Sequence, residues 1–195
     1  VEPVETDLGE YIIQLRGETP SHIIAPAVHL NKDQIEADFR ATHTRLPPER
    51  NLEEGAALVY EARQVLREKF IAADVGITGA NLLIAETGTS VIVTNEGNGD
   101  LTQSLPKVHI VLATIEKMVP TLEDATTILR LLGRSGTGQE FTAYTTFSTG
   151  PRRKGDPDGP EEYHVIILDN GRREMRDDPW PKEALHCIRC GACMN

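Results

Sequence analysis

The chain is poor in aromatic residues, with one Trp, four Tyr and four Phe among 195 residues. Leu, Ile and Val must therefore pack its core, and a 39% hydrophobic content is enough for that. It lacks any apolar run of about 20 residues, the length that a membrane-spanning helix requires, and it shows no signal-peptide pattern. Neither a transmembrane segment nor export is expected. Basic residues are outnumbered, 20 Lys and Arg against 30 Asp and Glu, for a net charge of −10. So acidic a chain repels phosphate backbones, which excludes nucleic acid as a partner class. Cysteine is scarce as well: there are three, all in the last nine residues. No disulfide framework can be built from them, and a reducing compartment, the cytoplasm, is expected. There is no internal repeat and no low-complexity tract.

What cysteine there is carries the strongest signal. The chain closes on His186-Cys187-Ile188-Arg189-Cys190-Gly191-Ala192-Cys193-Met194-Asn195. The spacing C-x2-C-x2-C is the first three-quarters of the bacterial ferredoxin run C-x2-C-x2-C-x3-C-P. Three thiolates from seven residues converge on a cubane only if the backbone wraps tightly, and Gly191 eases that wrap. The fourth cysteine would fall just past the last residue, so Cys187, Cys190 and Cys193 read as three ligands of a 4Fe-4S cluster whose site is completed elsewhere. The rival readings are weaker on spacing. Zinc sites pair two C-x2-C knuckles or add distant histidines, and His186 directly abuts Cys187. A disulfide leaves one thiol over. A c-type haem needs His where Gly191 stands. The opening Val1-Glu2-Pro3, with no Met, and the stop inside the motif lead us to expect a fragment cut at both ends, holding no intact cluster by itself.

Strands and helices alternate along the chain. Residues 9–16, with Tyr11, Ile12, Ile13 and Leu15, read as a short strand. Asn31 with Gln34 is a capping-box signature opening a helix to about residue 41, and Asn51 with Glu54 repeats it before a helix to about residue 71. Residues 45–49 link the two. Residues 82–86 and 90–94 read as a hairpin, and residues 108–113 as a buried strand. Thr121 with Asp124 caps a helix that Gly133 ends. Residues 141–148 and 163–168 are two further strands, separated by an exposed Pro/Gly-rich loop, and Pro179-Trp180-Pro181 is a stiff joint before a short helix. The pattern predicts an α/β domain with a mixed, mostly parallel sheet and flanking helices.

Three polar segments, residues 76–81, residues 85–89 followed by 94–99, and residues 133–139, are richer in Gly, Thr, Asn and Glu than simple connections require. No nucleotide fingerprint matches them. A ligand site would lie where residues 76–81, 86–89 and 95–100 converge, with Thr78, Asn81, Thr87, Thr89, Asn95, Glu96 and Asn98 as binding residues. Glu86, following an apolar strand, is the candidate base or nucleophile if burial perturbs it. Its bland alternative is a carboxylate capping the next turn. His109 and His164, both within strands, read as core histidines, and Arg152-Arg153-Lys154 as a solvated basic cluster.

Residues 76–99, GITGANLLIAETGTSVIVTNEGNG, resemble the core signature of the LUD domain, a family named for lactate utilisation. Residues 5–11 (ETDLGEY), 115–121 (IEKMVPT), 150–153 (GPRR) and 168–172 (LDNGR) resemble it too, in the same order. The resemblance implies a fold of the NagB/RpiA/CoA-transferase type over residues 1–180, and the start of a ferredoxin-like region at residues 181–195. It implies second-cluster cysteines beyond the C-terminus, and a part in oxidising L-lactate to pyruvate alongside two companion proteins. The rival expectation is a catalytic domain resembling sugar-phosphate isomerases or CoA transferases, acting on a small carboxylate or phosphate through Glu86 or Glu96.

Overall fold

The computed structural model describes residues 1–22 and 25–194, without the Met194 side chain. Asn195, the last residue of the cysteine tail, lies outside the described residues. The chain divides into two compact units, Val1–Ala72 and Ala73–Asn195.

The first unit is helical. The segment expected as a strand is helix α1 (Leu8–Arg16). Leu8, Tyr11, Ile12 and Leu15 follow the i, i+3, i+4, i+7 pattern of a helical face. The Asp7 side chain accepts the Gly9 N–H at one end, and Gly17 closes the other with φ 66°. Capping at both ends overrides the β preference of Tyr11, Ile12 and Ile13. Helix α2 (Lys32–Thr42) starts with the expected Asn31/Gln34 box. Helix α3 (Gly55–Ala72) starts without one, because the Asn51 side chain accepts the Glu53 N–H in a local turn instead. Tyr11, Ile12, Phe39, Leu58, Leu66 and Phe70 share one core.

A polar network is sealed into that core. The Tyr11 hydroxyl lies 2.8 Å from His43 Nε2, and His43 Nδ1 lies 2.7 Å from Glu61. Arg50 donates to both Glu61 oxygens, at 2.6 and 3.0 Å, and to the Phe39 carbonyl. Burial pushes the Glu61 carboxyl up, but the hydrogen bonds from Arg50 and His43 outweigh it and hold it below its ordinary value. A buried charge is tolerated only when paired in this way.

The second unit contains the sheets. Strands β1 (Val75–Gly79), β4 (Val108–Thr114) and β7 (Glu162–Leu168) form a parallel sheet in the order β1-β4-β7. Strands β2 (Leu82–Ile84), β3 (Thr89–Thr94), β5 (Met118–Val119) and β6 (Tyr144–Ser148) form a second, in the order β5-β2-β3-β6. There β2 and β3 make the expected antiparallel hairpin, β6 pairs antiparallel to β3, and β5 pairs parallel to β2. Helix α4 (Asn98–Ser104) follows β3, α5 (Leu122–Thr137) follows β5, and α6 (Arg172–Asp177) follows β7. A 3-10 helix, Pro181–His186, leads to the cysteines as the Pro-Trp-Pro joint predicts. This is the expected α/β architecture of a mixed, largely parallel sheet with flanking helices.

Several local expectations fail for reasons of packing. Residues 76–81 mostly belong to strand β1. Gly76 is required there because a Cβ would stand 1.9 Å from the Thr102 carbonyl oxygen of α4. Residues 98–100 open α4 rather than completing a loop. Helix α5 begins with the expected Thr121/Asp124 box but runs through Gly133 to a left-handed cap at Gly138, φ 73°. Gly133 serves close packing: a Cβ there would lie 3.2 Å from the Gln139 carbonyl oxygen. Only alternate residues of β4, His109, Val111 and Ala113, are buried. His164 is exposed beside Glu162, not a core residue.

His109 is buried as expected, at 1% exposure, but its partner is a side chain: Nε2 lies 2.9 Å from Thr78 Oγ1, and Tyr163 packs edge-on at 5.4 Å. Burial lowers its pKa from 6.5 to about 4.

Two predictions follow from these contacts. Gly76→Ala should destabilise the protein by about 3 kcal/mol, since neither backbone can yield, read as a fall in the urea midpoint; an unchanged midpoint would mean that α4 does not press on β1. His109 is neutral in the fold and protonates more readily when unfolded. Its contribution is therefore complete above pH 6.5 and is lost as pH falls towards 4, at most about 3 kcal/mol. Urea titrations across that range should show the loss in the parent and a flatter profile in His109→Gln.

Candidate functional site

Open α/β sheets place ligands beyond the carboxyl ends of their parallel strands. In the second unit β1, β4 and β7 end at Gly79, Thr114 and Leu168, and the residues that follow converge. A 3-10 helix, Ile115–Lys117, turns the chain immediately after β4. The Thr114 hydroxyl donates to Glu116 Oε1 at 2.6 Å. Arg172, at the start of α6, brings Nε to 3.3 Å from Glu116 Oε2, and Arg189 of the cysteine segment brings Nη2 to 3.6 Å from Oε1. Left-handed backbone sets both arginines: Asn170 at φ 45° and Gly171 at φ 81° precede Arg172, and Arg189 itself has φ 59°. Asn tolerates that conformation, whereas Arg there is a local strain that its surroundings must hold.

Burial pushes the Glu116 carboxyl up, but the Thr114 hydroxyl, its own backbone N–H and the charges of Arg172 and Lys117 hold it below its ordinary value. Its Oε2 atom is buried and accepts no aligned hydrogen bond among the described residues, though the Arg172 charge lies 3.3 Å from it. Lys117 is 8% exposed and makes no hydrogen bond or ion pair among the described residues. Burial and then the Arg189 charge push its amine below the ordinary value, against the pull of Glu116 and Cys187. Both residues line a pocket of about 230 Å³, together with Asn81, apolar residues of β5 and α5, and residues 185–188 of the cysteine segment.

The cysteine segment is more than a loose tail. Cys187 and Ile188 form part of the pocket wall, and the Cys190 carbonyl oxygen would lie 3.1 Å from a Cβ at Gly136 of α5. The Arg189 N–H donates to Cys187 Sγ at 3.4 Å. Cys187 and Cys193 are exposed, and Cys190 is partly buried. Among the described residues no group of three or more His, Cys, Asp or Glu is placed to hold a metal ion. Thiols are the donor type a four-iron cluster takes, and in this structure Cys187, Cys190 and Cys193 are not converged on one point.

The three polar segments do not come together. Glu86 is exposed in the β2–β3 turn, where its backbone N–H donates to the Pro120 carbonyl while its carboxylate bonds to no described residue. It is neither buried nor a cap. Thr87 and Thr89 share a hydroxyl bond of 2.6 Å, extended from Thr89 to Thr149 at 2.7 Å. Asn95 and Glu96 are exposed beyond the far end of β3, and Asn98 begins α4. A six-residue strand separates the Thr87/Thr89 group from these three, about 20 Å at strand rise. Thr78 is engaged with His109. Of the expected binding residues, Asn81 alone lines the pocket beyond the strand ends, with Oδ1 accepting the Val93 N–H at 2.8 Å. Glu116, Lys117 and Arg172 were missed as site residues. Their signal was positional, since each follows an apolar strand and lies within a segment shared with the LUD signature.

A second cleft, about 440 Å³, lies at the opposite ends of β4 and β7, lined by His109, Tyr163, Asp100 and the loop carrying Arg152 and Arg153. The Arg152 guanidinium pairs with Glu161 at 3.3 Å, and Asp156 accepts the Arg153 backbone N–H at 2.6 Å, which fixes the loop.

The family model of the LUD domain matches residues 1–168. Lactate utilization protein B of Shouchella clausii is 49% identical over 195 residues, all of this chain and 40% of that protein. Lactate utilization protein B of Bacillus subtilis is 47% identical with the same coverage. The Escherichia coli protein named "Uncharacterized electron transport protein YkgF" is 45% identical over the whole chain and 40% of its own length. The chain thus spans about 40% of the length of these relatives. A solved DUF162 family protein from Deinococcus radiodurans aligns with TM-score 0.40 and 24% identity over 51% of this chain and 56% of that one.

The Glu116 contacts generate a prediction about the cysteine segment. Glu116→Ala should release Arg172 and Arg189, cost roughly 1–3 kcal/mol, and raise the alkylation rate of the partly buried Cys190 several-fold. Mass-spectrometric labelling kinetics measure this. An unchanged Cys190 rate would show that the carboxylate does not anchor the segment.

Proposed function

The chain belongs to the LUD domain family, and from that membership we propose that it is part of an iron–sulfur electron-transfer subunit of a cytoplasmic complex that oxidises L-lactate to pyruvate. One observation carries the reading: a C-x2-C-x2-C run held against the strand ends of the domain, in a chain that aligns along its whole length with proteins named for lactate utilisation and electron transport. A four-iron cluster bound at such a run supplies one-electron transfer, and lactate oxidation releases two electrons and two protons. The remaining thiolate and the second cluster belong to sequence beyond this chain, and two companion proteins complete the system. The chain's own part is to seat the cysteine segment, through Arg189 on Glu116 and the packing of Ile188 and Cys190. No helix among the described residues is long and apolar enough to cross a membrane, and the three cysteines are free thiols. A catalytic domain acting through Glu86 or Glu96 draws less support, because both residues are exposed and neither lines either of the two concavities.

The test uses the full-length protein reconstituted anaerobically with its two companions. Adding L-lactate should produce the EPR signal of a reduced four-iron cluster, and Cys190→Ser should abolish or alter that signal. Lactate turnover at full rate with the clusters left oxidised would remove this subunit from the electron path.

A further inference from the structure

Lys117 is a buried cation that the fold leaves unpaired. It is 8% exposed and makes no hydrogen bond or ion pair among the described residues. The two arginines nearby are placed differently. Arg172 lies 3.3 Å and Arg189 3.6 Å from Glu116, and the Arg189 side chain is 59% exposed. Their charge is offset by that carboxylate, and solvent screens Arg189 further. The same contacts occupy Glu116, which also accepts the Thr114 hydroxyl, so its charge does not cancel that of Lys117. Burying an ammonium without a carboxylate partner is costly, and some other negative group must offset it.

The pocket wall says which group that is. The 3-10 helix Ile115–Lys117 delivers Lys117 to the pocket of about 230 Å³, which Cys187 and Ile188 also line. Val119, Ile128, Leu129 and Leu132 make much of the remaining wall apolar. A pocket this small holds the amine and the first cysteine of the run within each other's field, and apolar walls screen that field weakly. Burial and the Arg189 charge disfavour the ammonium, whereas the charges of Glu116 and of a Cys187 thiolate favour it. The sulfur also accepts the Arg189 backbone N–H at 3.4 Å.

We propose that Lys117 is the buried countercharge of the cysteine run and raises the reduction potential of the cluster that Cys187 helps to hold. The proposal rests on the electron-transfer reading, because only a bound cluster gives the run a potential. Net charge, hydrogen bonds to sulfur and solvent exposure set such potentials. A four-iron cluster on thiolates gains one negative charge when reduced, so a fixed positive charge beside it stabilises the reduced form more than the oxidised one. Lys117 contributes that charge and nothing else: it ligates no iron and transfers no proton. It is a positioning residue in the electrostatic sense, held by the turn after β4 against the one cysteine that lines its pocket.

The experiment is a redox titration of the full-length protein, reconstituted anaerobically with iron and sulfide and reduced with dithionite, with the clusters followed by EPR. Lys117→Met should shift the reduction equilibrium of one cluster about tenfold towards the oxidised form, a fall of about 59 mV for a one-electron couple, and leave the second cluster where it was. Methionine is similar in length and apolar, so the buried position should accept it. Should it fail to fold, Lys117→Gln, also uncharged, gives the same reading. Lys117→Arg keeps the charge and should keep the potential close to the parent's. The shift should persist at 1 M salt, whereas Lys182→Met, at an exposed position before the run, should give a smaller shift that salt removes. An unmoved potential, an equal shift in both clusters, or a shift that salt abolishes would overturn the proposal alone. A parent protein that assembles no cluster overturns the electron-transfer reading, and the countercharge with it.

Discussion

Parallel pairing on both edges of β4 is the constraint from which the second unit takes its form. A strand hydrogen-bonded to parallel neighbours on each side fixes the direction of all three, so their carboxyl ends must point the same way. The register brings Gly79, Leu112 and Ile166 level across β1, β4 and β7. Whatever follows each strand is then delivered to one edge: Asn81, the Glu116-Lys117 pair, and Arg172. The same constraint places His109 and Tyr163 together near the opposite edge, at the second cleft.

Each unit encloses a carboxylate that bonds across its elements, and the two differ in a telling way. Glu61 sits among Arg50, His43 and Tyr11, with both oxygens bonded and a hydroxyl–imidazole relay complete. That is how a buried charge is made inert: both of its oxygens are met, and the network ties α1, α2 and α3 together. Glu116 is also held below its ordinary pKa, by Thr114 and nearby cations, with Arg172 Nε 3.3 Å from one oxygen but no aligned hydrogen bond to that oxygen among the described residues. An incomplete network in a concave place is the arrangement expected of a site, because structural ion pairs tend to close on themselves.

The parts of the fold legible in sequence were those decided within one turn of chain. The boxes at Asn31/Gln34 and Thr121/Asp124 form as read because their partners are three residues apart. The β2–β3 hairpin and β7 follow from short apolar runs between turn residues. The misreadings share a cause. The stretch around Tyr11 to Ile13 favours a strand by residue type and a helix by spacing, and the caps at Asp7 and Gly17 decide for the helix. Gly76 and Gly133 look like loop glycines, but each allows the close approach of a segment distant in sequence. Glu86 follows an apolar strand as Glu116 follows β4, yet β2 turns back into its own hairpin and leaves Glu86 in solvent.

Sequence alone determined the chemistry available: three cysteines at ferredoxin spacing, an acidic surface unfit for phosphate backbones, an alternating α/β order and a run of LUD-like segments. Those are properties of residue identity and local spacing, which no packing can change. Tertiary structure decided which polar residues meet. Asn81, Lys117, Arg172 and Arg189 are spread over more than 100 positions, and only the parallel alignment of β1, β4 and β7 puts their segments at one edge. How deeply Lys117 and Glu116 are buried depends on what α5 and the cysteine segment cover, and a sequence states neither until the chain has closed on itself.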